Sequence, residues 1–198
     1  MSADGFFPDA VDWTFGHEGG FANARGDRGG PTNMGITLET LKRALGSAAD
    51  LNHDGRIDAE DVKLLSHETA LGIYRKFYWL EPHLDLLGDR DIAMKVFDLG
   101  VHAGPHAAVT LLQRAIDHAK PGYVAPIPDD GALGPRTLAA LAQCDGGLVL
   151  AALCSEQALF YLRIIEHDPE QAQFKTNWLA RARELPPAAG VAARKEVA

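Results

Sequence analysis

The sequence predicts a mostly α-helical protein with one small glycine-rich β excursion. Three observations carry that reading. Apolar residues recur three and four apart in most segments, alternating strand patterns are nearly absent, and six glycines crowd residues 19–36.

Each element has a local cause. Pro8 suits a first helical turn, and Phe7, Val11 and Phe15 fall on one face of a helix over 8–18 that Gly19-Gly20 stops. Residues 19–36 then form a loop or a short twisted hairpin. Thr37 can cap a helix through Leu38 and Leu41 to about Leu45. Past an acidic loop at 50–61, one helix is expected through Val62, Leu65, Thr69 and Ile73 to Trp79. Two more follow over 91–103 and 105–119, broken at Gly104-Pro105, the second with a buried stripe of Leu111, Leu112, Ala115 and Ile116. A connector from Pro121 to Gly134 precedes a helix with Pro135 in its first turn. Asp145 can cap a long helix to about Glu166, and Asp168-Pro169 starts a last one ending near Arg183. Beyond it the chain is expected to be a flexible tail over 184–198.

Composition narrows the function classes. The chain has 198 residues, 46% hydrophobic and 23% charged, which supports a real core and excludes extensive disorder. A net charge of −8 disfavours a broad electrostatic grip on nucleic acid or on an anionic membrane. Cys144 and Cys154 cannot build a disulfide framework and are expected as small buried apolar residues. The start of the chain lacks a signal-peptide pattern, and the longest uninterrupted apolar run, Gly147–Cys154, falls well short of the ~18–20 residues of a membrane span. Cytoplasmic synthesis with no transmembrane segment is the expectation.

The acidic loop has the grammar of a metal site. Asp50, Asn52 and Asp54 fall on positions 1, 3 and 5 of the twelve-residue EF-hand calcium loop. Gly55 occupies the sharp turn at position 6, Arg56 offers its backbone carbonyl at 7, Ile57 is apolar at 8, and Asp58 stands at 9. Position 12 is Asp61 in place of the usual bidentate Glu, as in the dockerin version of the loop. Alternating acids and amides let one loop converge the six to eight oxygens that Ca²⁺ needs. Only one copy is present, so a structural calcium clamp is expected in preference to a sensor. A solvated acidic turn is the plainer reading of the same residues.

A second constellation lies at 17–36. Glu18 ends a helix containing Trp13 and Phe15, where the negative end of the helix dipole and apolar neighbours both favour a protonated carboxyl. A general acid that protonates a leaving oxygen near neutral pH needs that state. Asp27 comes nine residues later and Thr32 five after that, so a hairpin folding back could set both across a cleft from Glu18. Two carboxylates flanking a cleft are the minimal equipment for glycoside hydrolysis, with Asp27 activating a water or stabilising the transition state and Thr32 positioning that water. Spacing alone equally allows a surface Glu18 and a turn-forming Asp27.

The motifs Glu18-Gly19-Gly20-Phe21, Asp27-x-Gly-Gly-x-Thr32-x-x-Gly35-Ile36 and Tyr74-x-x-x-Tyr78-Trp79 resemble glycoside hydrolase family 108, the lysozyme-like N-acetylmuramidases. Phe97-Asp98 with Gly104-Pro105 and Leu112-Gln113-Arg114-Ala115 share the likeness. The run from Asp130 to Leu138 and Asn177-Trp178-Leu179-x-Arg181 is similar to that family's C-terminal predicted peptidoglycan-binding part. The resemblance spans about residues 8–183, and the loop at 50–61 looks inserted into it. It implies a lysozyme-like α+β fold, mainly α, with a small glycine-rich hairpin next to the catalytic helix. It further implies a catalytic part over 1–103, a helical peptidoglycan-binding part over 104–183, and Glu18 as the catalytic acid. Asp27 and Thr32 take their roles by analogy with phage-type lysozymes.

The expected activity is cleavage of the β-1,4 bond between N-acetylmuramic acid and N-acetylglucosamine. The protein would be an endolysin-type monomer that reaches the wall once a holin opens the membrane. Asp98 and His102, one helical turn apart, and Tyr161 are candidate sugar-cleft residues, with helix packing as the plainer role for each. Trp178 is expected to pack the last helix down. The alternative is a non-enzymatic, calcium-stabilised wall-binding or secretion-activator protein.

Overall fold

The apolar residues of 92–100 do not make a stripe; they surround the helix, and such a helix belongs at the centre of a core. The computed structural model, which describes residues 3–17 and 32–188, places it there. Helix α5 (Arg90–Ala103) buries every residue from Ile92 to Gly100. Helix α1 (Phe7–His17), α6 (Pro105–Ala119) and α8 (Gly146–His167) pack around it, with α9 (Lys175–Arg183) against α8. The single sheet among the described residues is an antiparallel hairpin of β1 (Thr32–Asn33) and β2 (Ile36–Thr37), paired Thr32 to Thr37 and Asn33 to Ile36. The mainly α fold with one small hairpin agrees with the sequence reading.

Helix starts follow their caps. The Thr37 side chain accepts from Thr40 N at the start of α2 (Leu38–Leu45), Asp89 caps α5, and Asp145 caps α8. Pro105 and Pro135 occupy the first turns of α6 and α7 (Pro135–Leu141). Two expected helices are subdivided. The one expected from 62 to 79 is α3 (Ala59–Lys63), a break, then α4 (His67–Ile73) started by Ser66, whose hydroxyl accepts from Thr69 N. Helix α4 continues into a π-helical stretch, Tyr74–Leu80, closed by Glu81 N donating to Lys76 O. The widened turn lets Phe7, Trp79 and Phe97 meet edge to face, with ring centroids 5.6 to 5.8 Å apart. The segment expected as a helix from Asp168 begins as a 3₁₀ turn over Pro169–Phe174 and becomes α-helical at Lys175.

The segment expected to fray beyond 184 is held through Pro187. Lys95, with no exposed surface, donates from Nζ to Arg181 O at 2.8 Å and to Glu184 O at 2.7 Å. Burial lowers its pKa. Arg90 binds Asp9 at 2.7 Å and Pro187 O at 2.9 Å. Cys144 and Cys154 are free and half-buried, and burial raises both thiol pKa values. Helix α8 is long and apolar enough, by length and composition, to cross a membrane. Here it packs Val149, Leu153 and Tyr161 inward and buries Glu156 and Gln157 beside them. Counting uninterrupted apolar residues missed this, because Ser155, Glu156 and Gln157 split the run.

Candidate active site

Helix α1 ends at His17, so Glu18 is the next residue; Glu18 and Asp27 themselves lie outside the described residues. Thr32, the third expected catalytic residue, opens β1 and is half-buried. Its hairpin turns on Met34 (φ +50°) and Gly35 (φ +73°), both left-handed, as a two-residue type I′ connection requires. Glycine adopts this backbone freely and methionine does not, so Met34 needs support.

That support is visible. The Tyr74 hydroxyl donates to Met34 O from the π-helical stretch. On the other side, Asn33 Nδ2 donates to Val62 O at 3.0 Å and Lys63 O at 3.3 Å, carbonyls in the last turn of α3. Tyr78 OH lies 3.4 Å from Thr40 Oγ1 and stands edge to face with Tyr74 at 5.5 Å.

The expectation that Asp98 and Tyr161 line a sugar cleft is corrected. Asp98 is 1% exposed, and its two oxygens accept from Arg181 Nε at 3.1 Å and Nη2 at 2.8 Å, a forked pair joining α5 to α9. Tyr161 has no exposed surface, and Trp178 stacks on it at 5.2 Å, so its ring has no face for a sugar. Trp178 packs the last helix as expected, with Phe174 stacked on its ring at 5.6 Å. His102 is exposed; its Nδ1 lies 3.1 Å from Tyr161 OH, which also receives Gln157 Nε2 at 2.9 Å.

In the acidic loop the side chains fold back on their own backbone. Asp50 accepts from Asp54 N at 3.2 Å and Gly55 N at 3.0 Å, and Asp54 accepts from Arg56 N at 2.8 Å. Asn52 Oδ1 accepts from Asp54 N at 3.0 Å, and Asp58 caps α3 by accepting from Glu60 N. Asp61 is fully buried; it accepts from Leu51 N at 2.7 Å, Asn52 N at 3.2 Å and Asp58 N at 2.8 Å. Those N–H donors, Asp58's foremost, hold its carboxyl below the ordinary carboxylate value although burial opposes them. Among the described residues no three His, Cys, Asp or Glu side chains are gathered as around an ion.

Sequence reasoning assigned Gln113 no role, yet it organises the second glycine-bearing loop. Buried in α6, its Nε2 lies 2.8 Å from Asp130 Oδ1, 3.0 Å from Ala132 O and 3.2 Å from Thr137 Oγ1, and its Oε1 accepts from Gly131 N at 2.8 Å. An amide has donor and acceptor side by side, which this loop needs. A glutamine inside an apolar helical stripe is the signal that could have found it.

Residues 11–104 match the glycosyl hydrolase 108 family, and residues 107–183 match a predicted peptidoglycan domain. Among solved structures, that described as the structure of Brucella abortus SagA is 28% identical, covering 91% of this chain and 98% of its own at a TM-score of 0.65. A search of curated proteins found no match. Residues 11–104 are a glycosyl hydrolase 108 segment followed directly by a predicted peptidoglycan domain, and the protein is a glycoside hydrolase of peptidoglycan.

Proposed function

We propose that the protein is an N-acetylmuramidase, with Glu18 as general acid on the glycosidic oxygen between N-acetylmuramic acid and N-acetylglucosamine. The observation that carries this reading is the hydrolase match over 11–104 joined directly to a peptidoglycan domain over 107–183. A β-1,4 glycoside breaks when its leaving oxygen is protonated as the ring takes on oxocarbenium character. Glu18, which the sequence puts at the end of the first helix, suits the acid, since the dipole at a helix C-terminus opposes a carboxylate. Asp27 and Thr32 then orient the water or stabilise the developing charge.

Glu18→Gln keeps the size and removes the acid. It should lower release of reducing sugars by at least about 10³-fold while thermal melting is unchanged. Mass spectrometry of digested peptidoglycan reads the bond. Reducing-end N-acetylmuramic acid supports the muramidase, reducing-end N-acetylglucosamine marks a glucosaminidase, and released peptides mark an amidase or peptidase. Binding without any release marks the non-enzymatic alternative.

For the loop at 50–61 we propose Ca²⁺ in a structural role. The donors are all oxygen, as a hard cation needs: the side chains of Asp50, Asn52 and Asp54, the Arg56 carbonyl, Asp58 through a water, and Asp61. Asp61 Oδ1 already accepts from Leu51 N and Asn52 N, so only Oδ2, which accepts from Asp58 N alone, has a lone pair for an ion. A bound Ca²⁺ would halve the net charge of −4 that five acids and one base give this loop.

A further inference from the structure

We propose that Asn33 and Tyr74 are positioning residues for Thr32, clamping the catalytic hairpin from two sides; this rests on the muramidase reading above. Among the described residues the hairpin has two residues in each strand and few ladder bonds, and the register of so short a pair is weakly specified. Something outside it must fix its place.

Two contacts do so, and they come from different elements. Asn33 joins the hairpin to the end of α3 through both carbonyl contacts of its amide. Adjacent residues of a strand face opposite sides, so seating Asn33 on α3 directs Thr32 to the other face. A slip by one residue would exchange them. Tyr74 reaches forty residues back to the Met34 carbonyl, at the one non-glycine residue of the turn with left-handed backbone. Its own position is set by the π-helical stretch and by the rings of Tyr78 and Phe97, at 5.5 and 5.8 Å. The Tyr74-x-x-x-Tyr78 motif therefore acts on the hairpin from a distance. Strained backbone held by an over-determined surround is a device that active sites use for preorganisation.

The test uses the full chain and a soluble, uncrosslinked peptidoglycan strand. Tyr74→Phe removes one hydroxyl, and Asn33→Asp replaces the amide donor with an acceptor of the same shape. Each should lower kcat by about ten- to a hundredfold with KM within about twofold, the signature of a misplaced group in place of lost binding. Hydrogen exchange at the amides of residues 33–36 should accelerate in both while the melting temperature moves by only a few degrees. Values of kcat within twofold of wild type in both variants, or losses that track the fraction folded, overturn the proposal. A wild-type protein that releases no reducing sugar overturns the muramidase reading itself, whatever the variants do.

Discussion

The loops at 50–61 and 129–137 both turn at an Asp-Gly pair, Asp54-Gly55 and Asp130-Gly131, with glycine φ values of +84° and +70°. They are held by opposite means. The first is organised by four of its own acids and one amide: Asp50, Asp54, Asp58 and Asp61 with Asn52 accept the loop's own N–H groups. The second is organised by a stranger, the buried amide of Gln113 in α6, with Asp130 also accepting from Ala132 N. A self-held loop needs many charges and stays open to solvent. A loop held from outside needs few charges and depends on one side chain.

Removing the holder should separate the two most strongly. Gln113→Ala leaves the Gly131 N–H and the Ala132 carbonyl without their partner and empties a buried site, so it should cost about 2–4 kcal/mol in denaturant unfolding. The acidic loop's amide exchange should not change. If instead the loss stays below about 0.5 kcal/mol, Gln113 is not the organiser.

Acid should separate them next. Asp61 and Asp130 both have lowered pKa values, Asp130 chiefly through the Gln113 amide. A lowered folded-state pKa means stability that is present above the unfolded value near 3.8 and lost as pH falls through the folded one. Protonating Asp61 weakens three backbone contacts at once, whereas Gln113 does not titrate and keeps Gly131 and Ala132. Exchange at Leu51, Asn52 and Asp58 should therefore rise at a higher pH than exchange at Gly131. Asp61→Asn, which sets an N–H₂ against a backbone donor, should open the acidic loop at neutral pH and lower the melting temperature. Unchanged exchange in that variant would show that Asp61 does not close the loop.

Calcium gives the smallest and most selective difference. Saturating Ca²⁺ should raise the melting temperature by about 3–5 °C and slow exchange only at 50–61. Asp50→Ala with Asp54→Ala should remove that gain and leave the 129–137 loop unaffected. A melting temperature indifferent to both calcium and chelator would sink the metal site.

Local chemistry was legible in the chain itself. The caps at Thr37 and Asp145, the first-turn prolines and the helix that ends before Gly104 follow from residue type and spacing. The acidic loop's turn at Gly55 was readable, whereas its side chains, read as cation ligands, accept the loop's own N–H groups. What only the tertiary structure decided are pairings made across the chain. Asp98 and Tyr161 read as cleft residues, but Arg181 and Trp178, more than sixteen residues beyond Tyr161, take them into the core. Asn33 carried no reading from the sequence and Tyr74 only its place in the family motif, until α3 and the π-helical stretch brought them to one hairpin. The physical reason is common to these cases. Helix periods and caps are set by bonds a few residues long, while a buried polar group takes whichever partner the packed elements present to it.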